Sequence, residues 1–393
     1  MQYRIDPKSG NALSILGFGC MRFPRTLGKT DMAKTEALIV KAVENGVNYF
    51  DTAYVYGDSE VVLGRILEKN SLRDKVYVAT KLPLGICHTR QKLDELFEEQ
   101  CGRLQTKHID YYFMHNLSDM ATWRRLCGLG VEHWIEEKKR EKRIRQVGFS
   151  FHGTATDFVA LLDAYPWDFC QIQYNYVYTD FQAGKAGLRA AAARGLPVFI
   201  MEPLLGGQLA NRMPDGALAR FKESGLCYSP AAWALRWLWN QEEVTVVLSG
   251  MNEESQLLEN TATAHQAVPN MLSAAEEHTL GEAALAFQSF YKIPCTGCDY
   301  CMPCPHGVNI PACFASYNVA CAAGFFAGFQ QYVVSTGASN SQRKNIASRC
   351  VACGACEKKC PQHILIVEKL RAVKKRLEPF WFKTGMAILE KLL

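Results

Sequence analysis

Along the first two thirds of the chain, short runs rich in Val, Ile, Phe and Tyr alternate with longer stretches whose apolar residues return at helical spacing. The short runs are LSILGFG, VNYF, VYVAT, IDYYFM, RQVGFS, FCQIQY, LPVFIM and VTVVLS, eight in all. They are apolar on both faces, as strands of a parallel sheet covered on each side must be. The intervening segments read as amphipathic helices that often stop at Gly. DMAKTEALIVKAVENG, entered from Thr30 as a candidate N-cap, is one of them. Eight strands alternating with helices predict an α/β fold, a (β/α)8 TIM barrel, over residues 1–265.

Polar residues interrupt this pattern in one place. VNYF runs into Asp51, VYVAT into Lys81 and IDYYFM into His115, so three successive strands each end in a titratable side chain. Barrel enzymes carry their active sites on that C-terminal rim. Tyr56, in FDTAYVYG, lies in the loop leaving the second strand and can reach the same space. Each residue has a plainer reading: Asp51 as a helix cap, Lys81 as a solvated charge, His115 as a core histidine, Tyr56 as packing. As a set they make a proton donor. A phenol with a pKa of about 10 is a poor acid at neutral pH. An adjacent cation stabilises the phenolate, a carboxylate holds the cation, and a histidine orients a carbonyl oxygen.

FDTAYVYG, with the later TK and MHN, resembles the Asp, Tyr, Lys and His tetrad of the aldo-keto reductases, and the resemblance covers roughly residues 1–265. It implies Tyr56 as general acid or base, Lys81 as its tuner, Asp51 as the partner of Lys81 and His115 as the substrate-orienting residue. Hydride would come from bound NAD(P)H. The resemblance also implies cofactor contacts. Gly19 closes the first strand, and Ser150 in GFSFHG and Gln171 in QIQYN would hold the carboxamide, with Tyr174 and Asn175 completing that motif. Gly206 and Gly207 in MEPLLGGQL would let backbone approach the pyrophosphate. Gly250, Gln256 and Asn260 in LSGMNEESQLLEN would face the adenosine end. Met251, Asn252, Glu253 and Glu254 follow that glycine where a basic residue would suit a 2′-phosphate. Two carboxylates repel a phosphate, which weighs against NADPH and leaves NADH a contender.

A chain of 393 residues exceeds a barrel of roughly 250 and leaves room for a second unit. The net charge of +5 is spread along the chain except near the C-terminus, which argues against a nucleic-acid surface. MQYRIDPKSG lacks an apolar h-region and a small-residue cleavage site, and no uncharged apolar run is long enough to span a bilayer. The chain is therefore read as cytoplasmic. Ten of its sixteen cysteines lie at or beyond Cys295, a clustering that in a cytosolic protein points to metal.

Cys295, Cys298, Cys301 and Cys304 form C-x2-C-x2-C-x2-C before Pro305, and Cys350, Cys353, Cys356 and Cys360 form C-x2-C-x2-C-x3-C before Pro361. The second run has the bacterial ferredoxin spacing and the first is one residue shorter. A pair of structural zinc sites is the alternative. Ligands cross between runs in two-cluster ferredoxins. That assigns Cys295, Cys298, Cys301 and Cys360 to one 4Fe-4S cluster, and Cys350, Cys353, Cys356 and Cys304 to another. The Ala-rich NIPACFASYNVACAAGFFAGFQQYVV between the runs resembles the helical kind of two-cluster ferredoxin domain, with Cys313 and Cys321 read as packing thiols, as is Cys20. The expected organisation is a barrel at 1–265, a linking helical segment at 266–294, a small, mainly helical two-cluster ferredoxin-like domain at 295–370 and a basic, aromatic helix at 371–393. That last helix would dock on the chain or on a partner protein, with membrane-surface binding the weaker reading.

These readings converge on an NAD(P)H-dependent oxidoreductase that reduces a carbonyl or oxidises the alcohol, with clusters trading electrons with a flavoprotein or ferredoxin. An electron-transfer subunit using the barrel as scaffold, and a plain reductase with clusters as staple or oxygen sensor, are the rival readings.

Overall fold

The structure is a computed structural model that describes residues 1–322, 324–338 and 345–382. It divides into two compact units, Met1–Leu204 with Tyr228–Glu277, and Leu205–Cys227 with His278–Leu393.

In the first unit the eight apolar runs form eight parallel strands, β1 (Leu16–Gly19), β2 (Tyr49–Asp51), β3 (Tyr77–Leu82), β4 (Ile109–Met114), β5 (Ile144–Phe151), β6 (Phe169–Gln173), β7 (Val198–Met201) and β8 (Val244–Ser249). They close into a barrel, β8 pairing with β1 and β5 with β6. Alternation splits each strand between two cores. Tyr49, Tyr111, Phe113, Phe169, Phe199 and Val246 fill the interior. Phe50, Tyr112, Phe149, Cys170 and Val247 face outward to the helices. Interior rings meet edge-on, with centroids 4.9 Å apart for Tyr49 and Phe199 and 5.2 Å for Tyr111 and Phe169. Such pairs add about 0.5–1.5 kcal/mol each beyond their area burial. Leu13, from a hairpin of Tyr3–Ile5 and Ala12–Ser14, joins that interior cluster.

The helix expected after Thr30 runs Met32–Glu44, and its cap is Asp31, whose carboxylate accepts from Lys34 N at 3.1 Å. Thr30 instead pairs in a two-residue strand with Arg25–Thr26, so its backbone is committed before the helix begins.

The second unit packs helices Ile310–Ala322, Phe325–Ser335 and Ile366–Leu377 around Ile293, Phe314, Tyr332 and Val373. Cys313 is wholly buried there. Segment 205–227, placed in the barrel by sequence pattern, groups with this unit. Within it, Gln208 Nε2 donates to Cys295 O, and Tyr291 donates to Arg212 O at 2.8 Å. Within the segment expected as a helix over 371–393, one helix runs Ile366–Leu377, breaks at Glu378 and Pro379, and helical residues resume at 380–382. A residue before proline resists the helical region. Residues 383–393 lie outside the described residues. No described helix is long and apolar enough to cross a membrane.

Candidate active site and cluster site

Three strand ends carry the first site. Asp51 ends β2, Lys81 is the penultimate residue of β3, and His115 follows β4 directly. Lys81 is 1% exposed, which removes the solvated-charge reading. Its Nζ donates to Asp51 Oδ1 at 2.5 Å and to Thr52 O at 2.7 Å, and lies 5.0 Å from the centre of the Tyr56 ring. The Tyr56 and His115 rings stand edge to face at 6.1 Å. The tetrad therefore converges. Asp51 caps no helix; its second oxygen accepts from Gln171 Nε2 at 3.1 Å. Burial first, then the charges of Lys81 and His152, hold His115 well below the usual imidazole range, so it is neutral at physiological pH.

A polar brace stands behind Lys81. Glu60, at the start of helix Ser59–Lys69, accepts from Thr80 Oγ1 at 2.6 Å, Gln100 Nε2 at 2.7 Å and Arg103 Nη1 at 3.1 Å. Gln100 also donates to Lys81 O at 3.0 Å and accepts from Tyr112 at 2.7 Å. Sequence reasoning missed this brace, since Glu and Gln within helical stretches look like solvated surface. It also missed Asn116, whose N–H donates to Ser150 Oγ at 2.8 Å and whose φ is 53°. An Asn directly after the His was the available signal, because Asn tolerates left-handed backbone.

Of the expected cofactor residues, Ser150 and Gln171 are paired across β5 and β6 and buried. A Cβ on Gly19 would lie 3.6 Å from Gly250 N, so these two glycines meet at the ends of β1 and β8. Asn260 turns inward to donate to Ser249 Oγ at 3.1 Å, and Gln256 Oε1 accepts from Asn252 N at 3.0 Å. Tyr174 is the correction. Strand parity sends it outward, its ring 5.0 Å from Trp237 and its hydroxyl donating to Gln241 Oε1 at 3.2 Å. Gly206 (φ 66°) and Gly207 (φ 91°) belong to the second unit. The first unit's rim has one feature that suits a bound polar group: Asn175 Nδ2 is buried and has no partner among the described residues.

The cysteine loops form the second site. Cys295, Cys298, Cys301 and Cys360 line a small pocket whose apolar wall includes Ile310 and Phe314. The two runs repeat one backbone pattern. Left-handed residues fall two and four places after the first cysteine, Gly297 and Asp299 in one run, Ala352 and Gly354 in the other. Such turns aim backbone N–H groups into a concavity, a recurrent wrapping for iron-sulfur groups. Burial, then neighbouring thiols, push Cys295 and Cys301 up to about 12. Thiols gathered this closely ionise together only around a strongly electropositive group. The residues therefore fit a cluster. In the other run Cys350 and Cys356 are half-buried neighbours, Cys353 is exposed, and Cys304 packs against the same core.

A profile of the Aldo/keto reductase family matches residues 15–278. The chain belongs to the aldo/keto reductase family. A 4Fe-4S dicluster domain matches residues 294–365 of this aldo/keto reductase, so the oxidoreductase barrel is followed by an iron-sulfur domain. Its relatives include an uncharacterized oxidoreductase, YrpG, of Bacillus subtilis (strain 168), 27% identical over 54% of this chain and 69% of the relative. L-galactose dehydrogenase of Arabidopsis thaliana is 24% identical over 67% of this chain and 88% of the relative. Among solved structures, an aldo-keto reductase from Bacillus halodurans in its holo form matches with a TM-score of 0.59 at 24% identity, over 73% of this chain and 97% of that one, a likeness of fold.

Proposed function

We propose that this aldo/keto reductase reduces a small carbonyl compound, or oxidises the corresponding alcohol, with Tyr56 as the proton donor. The placement of Lys81 between Asp51 and the Tyr56 ring carries this reading. A nicotinamide held at the rim by Ser150, Gln171 and Asn175 would supply the hydride. The chain's own residues do the rest. Tyr56 gives its proton to the developing alkoxide, and the Lys81 ammonium favours the phenolate left behind. Asp51 and the Thr52 carbonyl fix that ammonium. His115, kept neutral by burial, orients the carbonyl oxygen.

Cys295, Cys298, Cys301 and Cys360 would hold one cluster, and Cys350, Cys353, Cys356 and Cys304 the other. Clusters exchange single electrons whereas a nicotinamide delivers two as hydride, so the iron-sulfur domain trades electrons with a partner, a flavoprotein or ferredoxin. Lys374, Lys375 and Arg376, in the last turn of the helix beginning at Ile366, give such a partner a basic face.

Turnover of Tyr56→Phe tests the reading. The variant should bind nucleotide as before yet lose about 100- to 10,000-fold in carbonyl reduction. Near-normal reduction by it would remove the assignment.

A further inference from the structure

The second unit buries a carboxylate beside the second cysteine run. Glu378 directly follows helix Ile366–Leu377 and is 6% exposed. Its Oε1 accepts from the Tyr332 hydroxyl at 2.5 Å and from Ser348 N at 2.9 Å. Tyr332, on helix Phe325–Ser335, is wholly buried, and its own oxygen accepts from Ala347 N at 2.7 Å. Burial, then Cys313 and Glu378, hold the Tyr332 hydroxyl far above the usual phenol range, so Tyr332 keeps its proton and donates it into the hydrogen bond. Glu378 Oε2 is buried and has no partner among the described residues.

This network ends beside an expected cluster ligand. Ala347–Arg349 form a single turn, and Ala347 O accepts from Cys350 N at 3.0 Å. Ser348 and Cys350 are two residues apart, a span of at most about 7 Å. Cys350 packs against the core that holds Tyr332 and Ala347. Burial raises the Cys313 thiol, the Tyr332 hydroxyl opposes this, and Glu378 and Cys350 both add to it, so one thiol lies within electrostatic reach of both. Charges buried in this way are weakly screened by salt. The potential of a cluster follows the net charge around it. Reduction adds one electron, and a carboxylate close by opposes it.

We propose that Glu378 is a potential-setting residue, whose buried carboxylate lowers the reduction potential of the cluster held by Cys350, Cys353, Cys356 and Cys304. This rests on the cluster assignment above. Tyr332 and the Ser348 N–H hold the carboxylate in place. The cluster so tuned is a stronger electron donor to the partner protein. A purely structural latch would tie the same turn with no effect of its charge.

The test is an anaerobic dithionite titration of the full-length, cluster-loaded protein, followed by electron paramagnetic resonance. Glu378→Gln, which keeps the shape and an acceptor, should raise the potential of one cluster and leave the other in place. At a fixed potential the reduced-to-oxidised ratio of that cluster should rise about tenfold, which is about 59 mV for one electron. Glu378→Asp keeps the charge and should stay nearer the wild type. In a Cys353→Ala background, which leaves only the other cluster, Glu378→Gln should shift nothing. Tyr332→Phe takes one donor from the carboxylate, leaves more negative charge on it and should lower the potential of the same cluster. No shift in Glu378→Gln, an equal shift in Glu378→Asp, or a shift that persists without Cys353 overturns the inference. If the Glu378 variants lose iron, Tyr332→Phe decides alone: a lowered potential supports the inference, and an unchanged or raised one overturns it. If the wild type holds no 4Fe-4S cluster, the cluster assignment falls with it; two clusters indifferent to Glu378 remove this inference alone.

Discussion

Lys81 Nζ meets Asp51 Oδ1 at 2.5 Å where the two side chains are 1% and 4% exposed. A buried ion pair adds little net stability, but removing one partner leaves an unpaired buried charge and costs about 3–5 kcal/mol. Lys81→Met should therefore lower both stability and turnover. Adding Asp51→Leu should restore most of the stability and none of the turnover. Denaturant unfolding and steady-state kinetics on the single and double variants check this. Recovery of activity in the double variant would show that the ammonium has no part in proton delivery.

The depressed His115 gives a pH dependence whose sign follows from linkage. The unfolded chain holds this imidazole near its ordinary pKa of about 6.5, and the folded chain holds it well below. Below pH about 6.5 the unfolded state binds the extra proton, so stability falls with pH at up to about 1.4 kcal/mol per unit. His115→Asn should flatten that stretch of the stability curve. Chemical denaturation between pH 7.5 and 5, on the order of the window set by these pKa values, measures it. A His115→Asn curve parallel to the wild type would mean that the imidazole titrates normally in the fold.

Much of the barrel was legible because its strands are buried on both faces, so LPVFIM and VTVVLS stand out as unbroken apolar runs. The meeting of Asp51, Lys81 and His115 at one rim was legible because they interrupt those runs at equivalent places. Parity hid Tyr174, since one place along a strand decides between rim and helix layer. The allegiance of 205–227 was also hidden, because contacts such as Gln208 with Cys295 join residues far apart in sequence and leave no periodic signal. The same holds for Glu60 and Gln100, polar residues whose partners come from other elements.

Glu60 separates charge from connection. Burial raises its carboxyl against three hydrogen bonds that lower it, so the charged form gains little from this place. Glu60→Gln, which keeps the volume and an acceptor, should cost about 1 kcal/mol. Glu60→Ala takes the acceptor from the buried Thr80 hydroxyl, opens a cavity and should cost roughly 2–4 kcal/mol. Thermal unfolding ranks the two. Equal losses would place the stabilising contribution in the ion pair with Arg103.

Cys360 closes the second cysteine run yet lines the cavity of the first, beside Cys295, Cys298 and Cys301. Crossed ligation makes a prediction that single variants cannot test, because losing either cluster takes iron from about eight to about four atoms per chain. Pairs of variants resolve it. Under crossing, Cys298→Ala with Cys360→Ala strikes one cluster twice and should leave about four iron atoms. Cys353→Ala with Cys360→Ala strikes both and should leave almost none. Uncrossed ligation reverses the two results. Anaerobic iron analysis of the two double variants therefore decides whether the thiol that ends one run serves the cluster of the other.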